Sequence, residues 1–139
     1  MYNIRNATLH DLPIMLEHAQ VFVKFYGLDW HEPSVTVLLT KLISNGVVKI
    51  AFKKDICVGA IGGIIVSNPW NSTQQVLQEM FWWVTETYRG SSVGIRLLNS
   101  FENSFDGVKV LSVLPQTPIK NDMLFKLGYS IKEYAFIKD

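Results

Sequence analysis

The chain has 139 residues, of which 48% are hydrophobic and 18% charged, and its formal net charge is +1. This length and composition predict one globular domain over residues 1–139. The near-zero charge excludes the broad basic field typical of nucleic-acid-binding domains, and the longest apolar stretch, ICVGAIGGIIV, is too short for a membrane helix. The single cysteine, Cys57, and the polar residues after Met1 favour a cytoplasmic protein without a secretory signal.

Hydrophobic periodicity and turn residues predict these elements in chain order: strand 2–7, helix 8–26, helix 34–44, strands 47–52, 56–66 and 76–84, a helix beginning near Val93, strand 108–114, a helix from Thr117 to Gly128, and strand 129–137. The order βααβββαβαβ predicts an α/β (α+β) fold, with a mixed, mostly antiparallel sheet of six to seven strands flanked by about four helices. The glycines of GAIGG, residues 59–63, indicate a bulge or close packing.

The segment YRGSSVG, residues 88–94, lies between the apolar run MFWWV and a predicted helix. A loop in this position binds anions, because the first amides of a helix have no intrahelical partners and the helix dipole is positive there. The loop supplies amides, glycines that let a ligand approach closely, capping hydroxyls and a positive charge, through Arg89, Gly90, Ser91, Ser92, Val93 and Gly94. We therefore expect this loop to bind phosphate groups.

The segment VTETYRGSSVGIRLLNSFE resembles the acetyl-CoA-binding segment of the GNAT (GCN5-related) N-acetyltransferases. The signature of that family is Arg or Gln, two residues, Gly, one residue, then Gly or Ala. Arg89 and Gly94 match it, and Ser92 stands in place of the middle glycine. YNIRNATLHDLPIMLEHA resembles the first strand and helix of the family, FKLGYSIKEYAFIK resembles its ending, and EMFWWV resembles short members encoded by phages.

The resemblance implies a GNAT-like acyl-CoA-binding domain that transfers an acetyl group from acetyl-CoA to a primary amine, without a metal or a covalent enzyme intermediate. In this family the fourth and fifth strands splay apart, and the pantetheine arm enters the gap. By residue matching, the gap lies between FWWV and LSVL, where the main chains of Trp83 and Val84 meet pantetheine and the thioester oxygen. The pyrophosphate then rests on amides from Arg89 to Gly94.

Glu79 is the candidate general base that takes the proton of the acceptor amine. Strand alternation predicts that it shares a face with Leu77, Phe81 and Trp83. A carboxylate on an apolar face has a raised pKa, which suits a base. The alternative for Glu79 is a structural acid at a sheet edge, paired with a lysine.

The family often supplies a tyrosine as general acid, four residues before the glycine of its KLGF ending, and Leu124 occupies that position here. Tyr134, Tyr88 or solvent is expected to protonate the leaving thiolate instead. Trp30 and Trp70 lie in predicted loops and are candidates for the wall of an acceptor pocket. The histidines and Cys57 lack ligand spacing, so no metal site is predicted.

The acceptor stays open at this point between a small molecule and a protein amine. An alternative function is a catalytically silent module on the same fold that binds acyl-CoA or a protein partner, which the departures at Ser92 and Leu124 favour. A further alternative is a homodimer without a ligand, in which MFWWV forms part of the interface. None of these alternatives involves nucleic acid or a membrane.

Overall fold

The structure, a computed structural model, describes all residues from Met1 to Asp139. Its strands and α-helices are, in chain order, β1 (Tyr2–Asn6), α1 (Leu12–Phe25), α2 (Glu32–Asn45), β2 (Val47–Lys53), β3 (Ile56–Asn68), β4 (Asn71–Val84), α3 (Val93–Glu102), β5 (Val108–Val110) and α4 (Asn121–Lys126). The five strands form one sheet in the order β1-β2-β3-β4-β5. All neighbours are antiparallel except β4 and β5, which are parallel, so the predicted mixed α/β class is confirmed.

The helices cover both faces of the sheet. On one face α1 and α2 pack on a cluster formed by Ala7, Met15, Leu39, Leu42, Val48, Ile50 and Cys57. On the other face α3 packs on a cluster formed by Ala51, Val58, Ile61, Leu77, Val93, Leu97, Leu98 and Phe101. The helix α3 is also the crossover that the parallel pair β4 and β5 requires. None of the helices is both long enough and apolar enough to cross a bilayer.

The start of α1 is fixed by an acid that the sequence places in its first turn. A 3-10 turn over Leu9–Asp11 precedes α1, and the Asp11 carboxylate accepts hydrogen bonds from the Thr8 amide at 2.7 Å and from both terminal nitrogens of Arg5 at 2.8 Å. These bonds, that from Arg5 above all, lower the pKa of Asp11 to about 2. The ion pair therefore ties the end of β1 to the beginning of α1.

A β-bulge interrupts the pairing of β3 with β4. Gly62 pairs with Phe81 and Gly63 pairs with Glu79, so Met80 is an extra residue on β4. A Cβ added to Gly63 would lie 2.5 Å from the Gln78 carbonyl oxygen, which explains why this position is glycine. The bulge or close packing predicted from the glycine-rich segment is therefore confirmed.

The bulge changes which side chains of β4 share a face. Leu77 packs in the cluster beneath α3, whereas Phe81 packs toward α1 and α2 and Trp83 contacts Phe22 of α1. The expectation that Glu79 shares one face with Leu77, Phe81 and Trp83 is wrong, because an extra residue reverses the alternation beyond it.

The C-terminal part departs most from the predicted elements. The predicted strand 108–114 forms only as β5, the predicted helix from Thr117 to Gly128 only as α4, and the predicted strand 129–137 does not form. The sheet therefore has five strands and not six to seven, and the order lacks the final β. The physical reason is that Ser112 donates its amide to the Glu79 side chain and the chain then turns at Leu114 and Thr117, so β5 offers no long edge for another strand.

Candidate functional site

The segment after β4 forms a tight loop that delivers the chain to α3. A 3-10 turn over Glu86–Tyr88 is followed by Gly90, whose φ of 84° lies in the region that favours glycine. The Ser91 hydroxyl donates to the Tyr88 carbonyl at 2.6 Å, and Ser92 is the N-cap residue of α3. Gly90 therefore fits the expectation for this loop, whereas the Ser92 side chain makes no capping bond and the Ser91 hydroxyl oxygen accepts from the Val93 amide at 3.4 Å.

Several amides of this loop have no partner within the protein. The amides of Arg89 and Ser91 bond to the carbonyls of Glu86 and Tyr88. Those that make no such bond belong to Gly90, Ser92, Gly94 and Ile95. The last three lie at the positive end of the α3 dipole, so the first turn of α3 offers unpaired donors to an anion.

Arg89 folds back from this loop onto the end of β4. Its Nε donates to the Val84 carbonyl at 3.0 Å, and its guanidinium carbon lies 4.5 Å from the centroid of the Trp83 ring and 4.9 Å from that of Phe25. The charge of Arg89 is thus held by aromatic faces at the strand end and does not project from the loop.

A cavity of about 230 Å³ lies beside this loop and is called the loop cavity here. It is lined by Tyr26, Trp82, Trp83, Val84, Tyr88, Arg89, Gly90, Ser91, Gly94, Ile95, Thr117, Pro118, Ile119 and Met123. The loop residues, the end of β4 and the segment before α4 therefore face a common space. Among the residues predicted for the loop site, Val93 is instead fully buried in the core, and Ser92 is exposed beside the cavity.

The strands β4 and β5 pair only over Val76–Gln78 and Val108–Val110 and part beyond these residues. The Thr85 amide donates to the Val58 carbonyl of β3 at 3.0 Å. Because hydrogen-bonded pairs alternate in an antiparallel ladder, the main chain of Trp83 also bonds toward β3, while that of Val84 turns to the gap. The gap opens between FWWV and LSVL, as the resemblance implied, but the expected contact of the Trp83 main chain with pantetheine is not supported, because this main chain bonds toward β3.

Glu79 lies at the point where the strands part. Its side chain is 5% exposed, and its Oε1 accepts a hydrogen bond from the Ser112 amide at 3.0 Å. Burial raises the pKa of Glu79 to about 7, and the Ser112 bond opposes this rise only in part. Gln78 braces the arrangement, because its Nε2 donates to the Glu79 carbonyl at 2.9 Å and to the Ser112 hydroxyl at 3.2 Å.

A second cavity of about 250 Å³ opens onto Glu79 and is called the gap cavity here. Its lining is Phe22, Tyr26, Leu28, Glu79, Met80, Trp82, Ser112, Val113, Leu114 and Thr117. Tyr26, Trp82 and Thr117 line both cavities and therefore form the wall between them. The Nε1 atoms of Trp82 and Trp83 are buried without a hydrogen-bond partner, so Trp82 adds an unpaired donor to this wall.

The structure does not bring every predicted site residue to these cavities. Tyr134 lies in the C-terminal segment and is 76% exposed, and Trp70 lies at the tip of the β3-β4 hairpin and is 95% exposed. Trp30 lines neither cavity, and Leu124 is buried in the core. Within MFWWV, only Met80 exposes a large fraction of its side chain, at 46%.

The sequence pattern gave no site role to Ser112 or Thr117. Thr117 signalled a helix N-cap, but its hydroxyl instead accepts from the Leu114 amide at 2.9 Å and bonds to the Tyr26 hydroxyl at 3.2 Å. No local pattern predicts this bond, because 91 residues separate its partners. No three His, Cys, Asp or Glu side chains lie close enough together to hold a metal ion.

Comparison of the fold with solved structures returns acetyltransferases along the whole chain. A GCN5-related N-acetyltransferase of Ralstonia eutropha superposes with a TM-score of 0.80 at 16% identity, covering 100% of this chain and 99% of the other. A predicted acetyltransferase of Clostridium acetobutylicum, solved with acetyl-CoA, superposes with a TM-score of 0.78 at 15% identity. The superposition covers 100% of this chain and 96% of the other. Arabidopsis thaliana Naa50, in complex with the bisubstrate analogue CoA-Ac-MVNAL, superposes with a TM-score of 0.74 at 20% identity. The superposition covers 95% of this chain and 85% of the other.

Sequence comparison adds nothing to this likeness. No protein-family model matches the chain, and no curated protein matches its sequence. The similarity therefore resides in the arrangement of the strands and helices, which the sequence predicted except in the C-terminal part. The chain has the fold of the GNAT acetyltransferases.

Proposed function

We propose that this protein is an acetyltransferase, a single acyl-CoA-binding domain that transfers an acetyl group from acetyl-CoA to a primary amine by direct attack on the thioester. One observation carries the proposal: a cavity with unpaired helix amides and a cavity with a buried acid share a wall at the point where β4 and β5 part. The C. acetobutylicum protein solved with acetyl-CoA has the same fold, which supports this choice of co-substrate.

The loop cavity is the proposed coenzyme site. The diphosphate accepts hydrogen bonds from the unpaired amides of Gly90, Ser92, Gly94 and Ile95, where the α3 dipole favours negative charge. Because the Ser92 amide is unpaired, a serine at the middle position of the loop signature still contributes a donor. The rest of the segment 89–94 lines or supports this site.

Pantetheine is proposed to enter the gap between β4 and β5 and to bond to the main chain of β4. The Val84 carbonyl faces this gap and already accepts from Arg89 Nε, so Arg89 competes with pantetheine for this oxygen. An unpaired amide of β4 facing the gap would then donate to the thioester oxygen and stabilise the negative charge that develops during attack. Trp82 and Val84 are the residues whose main chains are suitably turned.

The gap cavity is the proposed acceptor site, with Glu79 as general base. An alkylamine has a pKa of about 10.4 and must lose a proton before it attacks, so a carboxylate with a pKa of about 7 is a suitable proton acceptor near neutral pH. The bond from the Ser112 amide holds Oε1, which leaves Oε2 free to accept from the amine. The β4 bulge at Met80 is what aims Glu79 at this position.

The lining of the gap cavity supports an acceptor with one amine on an apolar group. Glu79 is the only charged residue in this lining, and aromatic or aliphatic side chains form most of it. A polyamine would bring further ammonium groups into this space without carboxylates to pair them, which costs several kcal/mol per ion. An arylalkylamine, or a peptide N-terminus with an apolar first residue, fits the lining better.

The test is release of free thiol from acetyl-CoA with a panel of amines. The panel contains 2-phenylethylamine, a peptide with an N-terminal methionine, ethanolamine and spermidine. We expect turnover with the first two, and a loss of at least 100-fold in kcat for Glu79→Gln. Glu17→Gln, which neutralises an exposed acid of α1, is the matched control and should keep full activity. No turnover with any amine, despite tight coenzyme binding, would contradict the catalytic part of the proposal.

A coenzyme-binding module without turnover is the second candidate. Leu124 favours it, because that side chain is buried in the core and supplies no acid at the position where the family often has a tyrosine. The Glu79→Gln variant separates the two functions. A pure binding module would retain its affinity for acetyl-CoA and show no rate in either form.

A further inference from the structure

Tyr26 lies at the junction of the two cavities. It follows α1 directly as the C-cap residue, and its half-buried side chain lines both the loop cavity and the gap cavity. Only Trp82 and Thr117 share this position, and neither has a side-chain proton as acidic as that of a phenol. If the coenzyme and the amine occupy the cavities as proposed, the thioester must lie against this wall.

The Tyr26 ring is held firmly while its hydroxyl is held loosely. The ring centroid lies 4.8 Å from that of Phe22 and 5.1 Å from that of Phe25, which fixes the ring among aromatic neighbours. The hydroxyl bonds to Thr117 Oγ1 at 3.2 Å, which is long for a bond between two hydroxyl groups. Thr117 Oγ1 already accepts from the Leu114 amide at 2.9 Å. The Tyr26 hydroxyl can therefore exchange this partner for a better acceptor at little cost.

The other tyrosines lack this position. Tyr88 lines the loop cavity but not the gap cavity, and Tyr134 is exposed on the C-terminal segment. The Tyr129 hydroxyl donates to the Glu102 carboxylate at the end of α3, and burial together with this bond raises its pKa. Among the tyrosines, Tyr26 alone adjoins both cavities.

We propose that Tyr26 is the general acid that protonates the leaving thiolate, an inference that rests on the proposed function. The amine nitrogen forms a bond to the thioester carbon and gives its proton to Glu79. The bond between carbon and sulfur then breaks, its electron pair stays on sulfur, and the Tyr26 hydroxyl proton moves to that sulfur. The phenolate recovers a proton from solvent, Glu79 releases one, and the products are the amide and free coenzyme A.

Two variants test this role. Tyr26→Phe removes the hydroxyl and keeps the ring, and we expect kcat to fall 10- to 100-fold while the Kd for acetyl-CoA changes less than threefold. Thr117→Val removes the bond to Tyr26, and also the bond from Leu114, but leaves the phenol in place. We expect its loss in kcat to be at least threefold smaller than that of Tyr26→Phe, because both variants lose the structural contact and only Tyr26→Phe loses the proton donor. Tyr129→Phe removes a tyrosine hydroxyl that lies outside both cavities, and this control should keep kcat within threefold of the wild type.

Each other outcome has a definite meaning. Equal losses in Tyr26→Phe and Thr117→Val would show that the bond between Tyr26 and Thr117 is structural and would overturn the inference. An unchanged kcat in Tyr26→Phe would overturn it as well. If the wild type binds no acetyl-CoA or has no turnover, the proposed function fails and the inference falls with it.

Discussion

The main-chain amide of Ser112 donates to Glu79 Oε1 over 3.0 Å, across the point where β4 and β5 stop pairing. A side chain thus occupies the place that a main-chain bond would take in a longer ladder. The same contact ends β5 and holds the acid at the mouth of the gap. This hydrogen bond therefore joins the end of β5 to the proposed general base.

The rate of the reaction should follow the ionisation of Glu79. Because the base is active as the carboxylate and its pKa is about 7, kcat/KM should rise about tenfold per pH unit below that value from this group alone. Ionisation of the acceptor amine adds its own rise, which Glu79→Gln retains. The quantity to measure is kcat/KM of the wild type divided by kcat/KM of Glu79→Gln. This ratio should rise with pH and level off above about 7. A ratio independent of pH would contradict the role of base.

The same acid should destabilise the protein at neutral pH. Its folded-state pKa of about 7 exceeds the unfolded value of 4.5, so the folded protein binds the proton more tightly. The stabilisation from this proton is complete below about pH 4.5 and is lost as the pH rises through about 7. Glu79→Gln keeps an acceptor for the Ser112 amide but cannot ionise. The free energy of unfolding of this variant, relative to that of the wild type, should therefore rise by up to about 3 kcal/mol from pH 4 to pH 8. Urea unfolding of both proteins at pH 4 and pH 8 measures this change. A difference in the free energy of unfolding that is the same at both pH values would contradict a raised pKa of Glu79.

Gly94 allows electrostatic and steric effects at the loop to be separated. A Cβ added there would meet only Val84 Cγ2, at an ordinary contact distance of 3.6 Å. Gly94→Asp should weaken coenzyme A binding at least tenfold relative to Gly94→Asn, because the carboxylate repels the diphosphate. The same aspartate should stabilise the protein by about 0.5 kcal/mol relative to asparagine, because it lies in the first turn of α3. Calorimetric titration gives the Kd for coenzyme A, and urea unfolding gives the free energy of unfolding of each variant. Equal affinities of Gly94→Asp and Gly94→Asn for coenzyme A would argue against a diphosphate at this turn.

Arg89 should stabilise the free protein and compete with pantetheine. Arg89→Met keeps an apolar stem over Trp83 but loses the bond to the Val84 carbonyl, so the free energy of unfolding should fall by about 1–2 kcal/mol. Arg96→Met is the control, because Arg96 makes only a bond to Met1 Sδ at 3.6 Å and a distant contact with the Tyr2 ring at 6.0 Å, both away from Val84. Acetyl-pantetheine, which lacks the diphosphate, should bind Arg89→Met more tightly than wild type. Weaker binding of this fragment would show that Arg89 contacts pantetheine directly.

Local signals were sufficient for the loop and for most of the sheet. Gly90 has the positive φ that this strand-to-helix loop requires, and the glycines of β3 marked the bulge. The identity of the bulged residue, Met80, could not be read from β4, because it depends on the register against β3. Alternation counted along a single strand therefore wrongly placed Phe81 and Trp83 on the same face as Leu77.

The C-terminal part shows where pattern alone fails. The run YSIKEYAFI has the residues of a strand, but a strand forms only where another strand offers an open edge. β5 ends at Val110, because Glu79 takes the Ser112 amide, and this contact joins residues 33 positions apart. The bond between Tyr26 and Thr117 is equally non-local. Residue types could be predicted from the sequence, but their pairing across the fold could not.

The most direct test of the account is an amide titration of the wild-type protein with coenzyme A, followed by ¹⁵N–¹H correlation spectra. The central claim is that the first turn of α3 and the loop before it hold the diphosphate through unpaired amides. The amide signals of Gly90, Ser92, Gly94 and Ile95 should shift downfield together, while those of Arg89 and Ser91, which are already bonded, move less. Coenzyme binding that leaves the four signals in place, or no binding at millimolar coenzyme, would contradict the account.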